Sequence, residues 1–299
     1  MNDPIRLNFS TENVWILNLC LAVIMFGVAL GLKTDDFKRL LATPRSALAG
    51  LLSQFVMLPA VTFLFIFLIS PPPALALGLI LVSSCPGGNI SNFMSSLARA
   101  NVALSVSLTA IGSFLAIILT PLNFQFWGSL YEPAAQQLKT VSVSFADVFS
   151  TIIMIAGIPL VMGMVVNAYY PVLAGRLNRW LKPASILIFI GFVVIAFLQN
   201  TDVFLKYIHL VFFIVLAHNA LAFATGFYMG RLWRTGYNDQ RTLAIETGIQ
   251  NSGLGLALIF TFFNGLGEMA IMAGWWGIWH IISGLGLSYY WARNPVHTL

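Results

Sequence analysis

Charge is scarce in this sequence. Asp, Glu, Lys and Arg make up 8% of its 299 residues and apolar residues 59%, where a soluble domain carries about 25% charged residues. No polar stretch is long enough to form such a domain, so the chain is expected to pass repeatedly through a bilayer. Cysteine is scarce too. Cys20 and Cys85 both fall within apolar segments, which excludes an extracellular disulfide framework. Cys85 has no second thiol or histidine at ligand spacing and reads as a small packing residue. The stretch Met1–Asn13 contains Asp3, Arg6 and Glu12 and lacks the pattern of a cleaved signal peptide. The first apolar run is long enough to span and is read as part of the protein. The net charge of +5 does not point to nucleic acid, because the charges alternate between loops.

Apolar runs of about 20 residues place nine spans at 14–32, 47–70, 75–96, 102–126, 145–169, 184–199, 208–232, 241–263 and 270–291. With the N-terminus outside, the inner segments hold Lys33, Lys38, Arg39, Arg45, Arg99, Arg176, Arg179, Lys182, Arg231, Arg234, Arg241 and Arg293. The outer segments hold only Arg6, Lys139 and Lys206. Basic residues belong on the cytoplasmic side, so the expectation is a multi-pass protein of the plasma (inner) membrane with its N-terminus outside and its C-terminus cytoplasmic. Gaining or losing one middle span would destroy this partition. Asn101 suits a helix N-cap. Pro72 and Pro73 mark an outer turn, and Pro59 and Pro159 are expected to kink the spans that contain them.

Within the apolar segment Thr242–Phe260 stands one carboxylate, Glu246, among glycines at 248, 253 and 255. A charge at the bilayer centre costs about 2.5–3.5 kcal/mol on insertion scales. Unwound backbone at that depth is tolerated only where it is buried in protein or lines a polar cavity. An acid beside freed carbonyls is a candidate cation site. A second span has the same grammar: Ser83–Asn92 reads Ser-Ser-Cys-Pro-Gly-Gly-Asn-Ile-Ser-Asn, against Glu-Thr-Gly-Ile-Gln-Asn-Ser-Gly at Glu246–Gly253. Each breaks an apolar helix with glycine and then supplies Asn and Ser. By the span count the two run in opposite directions, and each follows a span holding a polar residue, Gln54 in one case and Asn219 beside His218 in the other. Two broken helices of opposite orientation are the sign of an inverted-repeat transporter. Half-helix N-termini favour an anion and the opposite ends, with their free carbonyls, a cation, which is what a sodium–anion symporter needs.

At these residues the chain resembles the bile acid/sodium symporter family, and within it a bacterial homologue of the ileal and hepatic carriers. The matching motifs are Cys-Pro-Gly-Gly-x-x-Ser-Asn at 85–92, Asn-Val-Ala-Leu-Ser-Val-x-x-Thr at 101–109, Glu-x-Gly-x-Gln-Asn-Ser-Gly at 246–253 and Trp-His-x-Ile-Ser-Gly at 279–284. Leu-Lys-x-x-Asp-Phe at 32–37 also fits. The motifs occur in order over nearly the whole chain. The resemblance implies an all-α membrane protein of nine helices, an inverted repeat whose two broken helices cross, and a panel that moves against a core. The core would be approximately residues 47–126 and 208–291, and the panel 14–32 and 145–199, in a single unit.

The resemblance also implies two sodium ions. The first would take side chains of Ser91, Asn92, Ser105, Thr109 and Glu246. The second would take Gln54, Glu246 and Gln250 with backbone carbonyls of Thr247 and Ile249. Ser105 and Thr109, four residues apart, share one helix face. A substrate carboxylate would meet Asn89, Ile90, Asn251 and Ser252, with His280 nearby. The family often has Thr-Ala at 89–90 and Asn at 281, where this chain has Asn-Ile and Ile281. The implied substrate is a small organic anion: bile acid-like, a steroid conjugate, or a small carboxylate or 2-keto acid. No nucleic acid and no obligate protein partner are expected; the other partners are sodium and lipid.

Other readings compete with these. Ser91, Ser105 and Thr109 taken singly suit helix packing; Glu246 and the two breaks make them ligand candidates. Asp147 reads as solvated near the outer interface, and His218 as a satisfied structural histidine. A channel would show a continuous polar path, whereas these polar groups gather at the midplane; a membrane sensor could use the same polar centre. No paired aspartates, Ser–His pair or metal cluster suggests an enzyme. A proton-coupled carrier, with Glu246 titrating, is the rival within transporters.

Overall fold

The computed structural model describes residues 11–33, 35, 38, 43–141, 144–198, 200–263 and 265–294. Asp3, Arg6, Asp36, Phe37 and Arg39, and the side chains of Glu12, Lys139 and Lys182, lie outside the described residues. We number twelve helices: α1 Thr11–Ala29, α2 Pro44–Ile69, α3 Pro73–Ser84, α4 Ile90–Leu97, α5 Val102–Leu130, α6 Glu132–Val141, α7 Phe145–Tyr169, α8 Pro171–Leu198, α9 Thr201–Leu232, α10 Tyr237–Gly248, α11 Ser252–Phe262 and α12 Gly267–Arg293. An isolated antiparallel bridge pairs Gly87 with Gln250.

Among the described residues five segments are by themselves long and apolar enough to cross a membrane: α2, α5, α7, α12 and Val211–Leu232 of α9. The predicted spans at 75–96 and 241–263 each resolve into two shorter helices, α3 with α4 and α10 with α11, because glycine and proline interrupt them. The predicted span at 184–199 is the second half of α8. The helix starts earlier, at Pro171, through a stretch carrying Arg176, Arg179 and Lys182, since helix propensity continues where hydropathy stops. The segment after α5 forms α6, with Glu132 in its first turn; its polar residues hide it from a search for spans.

The two kinking prolines act through widened turns. A π turn at Ser53–Met57 precedes Pro59, and another at Ile153–Gly157 precedes Pro159. Proline lacks an N–H and crowds the carbonyl four residues back, and a π turn relieves the crowding. In α2 that carbonyl is Phe55 O, and Asn123 Nδ2 of α5 donates to it at 2.9 Å. A buried acceptor left without a partner costs about 1–3 kcal/mol. Asn123→Leu is therefore expected to lower stability by about that amount, with sodium affinity little changed; detergent-solution thermal unfolding with and without sodium checks both.

Caps place the remaining ends. Asn101 accepts from Leu104 N at 3.1 Å, as its sequence position suggested. Ser70 closes α2 in the left-handed conformation, φ 43°, and Pro73 opens α3. Thr120 of α5 donates to Ser84 O at 2.7 Å, closing the end of α3. His218 of α9 is buried and fully partnered. Trp276 Nε1 of α12 donates to its Nδ1 at 2.9 Å. Thr62 spends its proton on Leu58 O at 2.7 Å and meets His218 Nε2 at 2.8 Å. An indole N–H only donates, so Nδ1 is the bare nitrogen and Nε2 carries the proton. His218 ties α2, α9 and α12 together.

Candidate functional site

The two helix breaks lie against each other as a short antiparallel pair. Gly88 N donates to Ile249 O at 2.7 Å, and Asn251 N donates to Pro86 O at 2.8 Å. Only glycine permits this approach. A Cβ on Gly87 would stand 2.6 Å from Gln54 Nε2 and 2.9 Å from Glu246 Oε2, and one on Gly88 would stand 2.9 Å from Gln250 O. The backbone breakers legible in the sequence are thus also the residues that let the segments meet.

Glu246 is fully buried near the end of α10. Ser91 of α4 donates to its Oε1 at 2.5 Å, Ser105 of α5 donates to the same oxygen, and Thr109 of α5 lies 3.2 and 3.1 Å from the two carboxylate oxygens. Asn92 Oδ1 stands 2.9 Å from Ser105 Oγ and 3.4 Å from Thr109 Oγ1. A hydroxyl has one proton, and Ser105 and Thr109 each face more acceptors than they can serve. All five residues expected at a first cation site therefore share one cluster, drawn from α4, α5 and α10. Ser95, 3.2 Å from Ser105, joins it; its place one helical turn after Ser91 was the signal available in the sequence.

The residues expected at a second site gather around the end of α10. The carbonyls that lose helical partners there are all engaged from outside the helix. Glu246 O accepts from Gln54 Nε2 at 3.0 Å, Thr247 O from Gln250 Nε2 at 2.8 Å, Gly248 O from Asn219 Nδ2 at 2.8 Å, and Ile249 O from Gly88 N at 2.7 Å. Thr247 and Ile249 thus each spend one lone pair on a protein donor and keep the other. The two glutamine carbonyl oxygens, Gln54 Oε1 and Gln250 Oε1, are buried without a protein partner. Buried acceptors of that kind are uncommon, and these two belong to the residues expected to bind a cation. Asn219 is fixed in turn by Ser283 at 2.5 Å, and Ser53 meets Thr247 Oγ1 at 2.8 Å. These supporting roles were not read from the sequence, because they depend on which helices neighbour α10.

The chemistry of the donors selects the ion. Carboxylate, hydroxyl and amide oxygens are hard ligands. Among the described residues no three His, Cys, Asp or Glu side chains group as a transition-metal site would need. A small alkali cation fits the set.

The expected substrate residues are adjacent but unequal. Ser252 Oγ lies 3.2 Å from His280 Nδ1, and His280 packs edge-on to Trp276 with ring centroids 5.1 Å apart. Asn251 Oδ1 caps α11 by accepting from Leu254 N at 3.1 Å, so its oxygen is spent on the helix; its Nδ2 lies 3.7 Å from Met25 Sδ of α1. Asn89 and Ile90 open α4 and are partly exposed. A cavity of about 420 Å3 lies elsewhere, between α5, α6 and α7, and none of its lining residues belongs to these sets.

Two charged residues behave unlike surface groups. Arg241 is not a loop residue; it is buried in α10 and donates to Ala98 O at 3.2 Å, Trp291 O at 3.3 Å and Asn294 O at 2.8 Å. Its cation sits at the ends of α4 and α12, where the helix dipoles favour it. Asp239, in the first turn of α10, accepts from Ser46 at 2.5 Å and Asn101 Nδ2 at 2.8 Å, joining the starts of α2, α5 and α10.

Comparison with known proteins agrees with the motifs. The profile described as the Sodium Bile acid symporter family matches residues 18–207. The uncharacterized sodium-dependent transporter YocS of Bacillus subtilis (strain 168) is 32% identical over 290 residues, covering 96% of this chain and 87% of the relative. The probable sodium/metabolite cotransporter BASS1, chloroplastic, of Arabidopsis thaliana is 31% identical over 295 residues, covering 97% and 70%. The P3 protein of Homo sapiens is 28% identical over 225 residues, 75% of this chain and 46% of that protein. The chain belongs to the sodium bile acid symporter family, a family of membrane transporters and not of enzymes.

Proposed function

We propose that this protein takes up a small organic anion together with two sodium ions by alternating access. Nine passes would be made by α1, α2, α3 with α4, α5, α7, α8, α9, α10 with α11, and α12. The N-terminus would lie outside and the C-terminus in the cytoplasm of a plasma membrane. Helices α2–α5 and α9–α12 would form the core, an inverted repeat crossing at the two breaks, and α1, α7 and α8 the panel that it moves against. The observation that carries this reading is the oxygen constellation at the crossing: a fully buried carboxylate among hydroxyls, flanked by the unpartnered Gln54 Oε1 and Gln250 Oε1. Ser91, Asn92, Ser105, Thr109 and Glu246 would hold one ion. Gln54, Gln250, Glu246 and the carbonyls of Thr247 and Ile249 would hold the other. A substrate carboxylate would dock at Asn89, Ile90, Ser252 and His280 and the amide of Asn251. Bile acid-like molecules, steroid conjugates and small carboxylates or 2-keto acids share the required anionic group.

A thermal-shift screen of organic anions in sodium chloride and in choline chloride tests the reading, since a ligand that binds only the folded state raises its stability. Anion stabilisation that needs sodium is expected. Stabilisation that follows pH at constant choline would assign the coupling to protons at Glu246 instead.

Transport of a monoanion with two sodium ions moves a net charge of +1 inward, worth about 2.3 kcal/mol per 100 mV. An inside-negative potential is therefore expected to accelerate uptake into proteoliposomes under a fixed sodium gradient. Uptake of a confirmed monoanion that ignores the potential would rule out the two-to-one stoichiometry.

A further inference from the structure

The proposed core and panel meet unevenly. The largest apolar cluster contains Leu17, Leu21 and Met25 of α1 and Val148 and Ile152 of α7 together with Leu256 of α11 and its neighbours, so both parts contribute to it. Under the proposed topology two further clusters lie toward the cytoplasmic ends of the core helices. One is built on Met94, Ala98, Phe223, Ile245 and Trp291, the other on Ala47, Leu104, Leu108 and Leu243. Among the described residues, none from α1, α7 or α8 joins either. The two smaller clusters thus belong to the core alone, while α1 and α7 share the largest one with α11.

A polar contact crosses the outer seam. Asn18 lies in the first half of α1 and Thr261 is the penultimate residue of α11, and Asn18 Nδ2 donates to Thr261 Oγ1 at 3.4 Å. Under the proposed topology α1 enters from outside and α11 ends there, so both residues stand in the outer half. Asn18 Oδ1 is buried without a partner. Close by, Cys20 lines a small apolar gap with Leu17, Leu21 and Ile24 of α1, Ile188 of α8 and Gly253 and Leu256 of α11.

We infer that the structure is the inward-facing state, closed to the outside at this seam, and that Asn18 and Thr261 form its outer gate. The inference rests on the core-and-panel reading above. The physical argument is that the contact suits a latch that must release. At 3.4 Å its bond is longer than the usual range for an N–H donor, and so weak. The amide oxygen goes unsatisfied while the seam is closed and gains water when it opens, which offsets part of the lost contact. A pair bonded on every atom would favour the closed state more strongly. Neither residue belongs to the proposed ion or substrate sets, so the gate acts on the equilibrium between states.

Cys20 is a native reporter of the seam. In a Cys85→Ala background it is the sole thiol. Its modification by a membrane-impermeant, charged methanethiosulfonate added outside oriented proteoliposomes measures outer opening. Thr261→Val removes the acceptor, keeps the shape, and leaves Asn18 without any partner in the closed seam. Labelling at least about fivefold faster is expected. Adding Asn18→Leu makes the seam wholly apolar, and the rate is expected to return to or below that of the parent. Damage to packing would not be reversed by a second substitution in this way. An unchanged or slower rate in Thr261→Val overturns the gate, as does a double variant that labels faster still, or acceleration seen only with the reagent inside. Sodium stabilisation of the parent, measured in parallel, separates this from the transport reading. Faster labelling without sodium stabilisation keeps the gate and sinks the two-sodium site. Sodium stabilisation with unchanged labelling does the reverse.

Discussion

Glu246→Gln is expected to abolish sodium-dependent stabilisation and transport while the protein still folds. The substitution keeps the shape and one acceptor oxygen, so Ser91, Ser105 and Thr109 can still pack and hydrogen-bond around the side chain. What is lost is the charge. A full charge about 4 Å from a cation contributes about 4 kcal/mol at an effective dielectric of 20, about a thousandfold in affinity, and Glu246 is proposed to neighbour both ions. Removing a buried charge also removes its desolvation cost, so the sodium-free variant is expected to be at least as stable as the parent in choline chloride. Thermal unfolding titrated with sodium chloride against choline chloride measures both effects. A parent-like sodium response in Glu246→Gln would refute the assignment of this carboxylate to the ions.

Gly87→Ala is expected to produce nearly as large a loss through sterics alone. The new methyl would stand 2.6 Å from Gln54 Nε2 and 2.9 Å from Glu246 Oε2, distances at which a neighbour must move. Relief requires displacing Gln54, and with it the bond to Glu246 O, or parting the Gly88–Ile249 and Asn251–Pro86 pairing. Overpacking costs about 1–3 kcal/mol, and here it falls on the proposed ligands. Sodium affinity is expected to drop at least about tenfold. Gly255→Ala is the control. Its methyl would find only Cys85 Sγ and Val82 Cγ2 at 3.8 Å, an ordinary contact, and sodium affinity is expected to stay within about twofold. Equal effects of the two substitutions, read in the same titration, would show that crossing geometry does not set ion binding.

Much of this site was legible because membrane insertion makes polarity expensive. Glu246 stood out as a lone carboxylate in an apolar run, and the glycine-rich breaks stood out because backbone polar groups must be satisfied at that depth. Asn101 could be placed as a cap from its neighbours alone. Arg241 was counted only as an inner basic residue, and its burial went unread because its carbonyl partners, Ala98, Trp291 and Asn294, lie far off in the chain. Helix α6 escaped notice because Glu132, Gln136 and Lys139 break its apolar character. The π turns were foreseen only as kinks at Pro59 and Pro159. Their form depends on the freed carbonyl and, in α2, on Asn123 reaching Phe55 O from another helix.

By itself the sequence determined that the chain is helical and membrane-embedded, where most of its apolar segments begin and end, and which side chains are costly enough at depth to need a purpose. Hydropathy, capping and backbone breakage are local properties, each readable within a few residues. The tertiary structure decided what those residues do together. It placed three hydroxyls of α4 and α5 against Glu246, engaged the last carbonyls of α10 from three other segments, and left Gln54 Oε1 and Gln250 Oε1 without partners. It also brought Asn18 to Thr261, 243 positions apart. Such pairings follow from how helices pack, and packing is settled by complementary surfaces across the whole chain that no local pattern records.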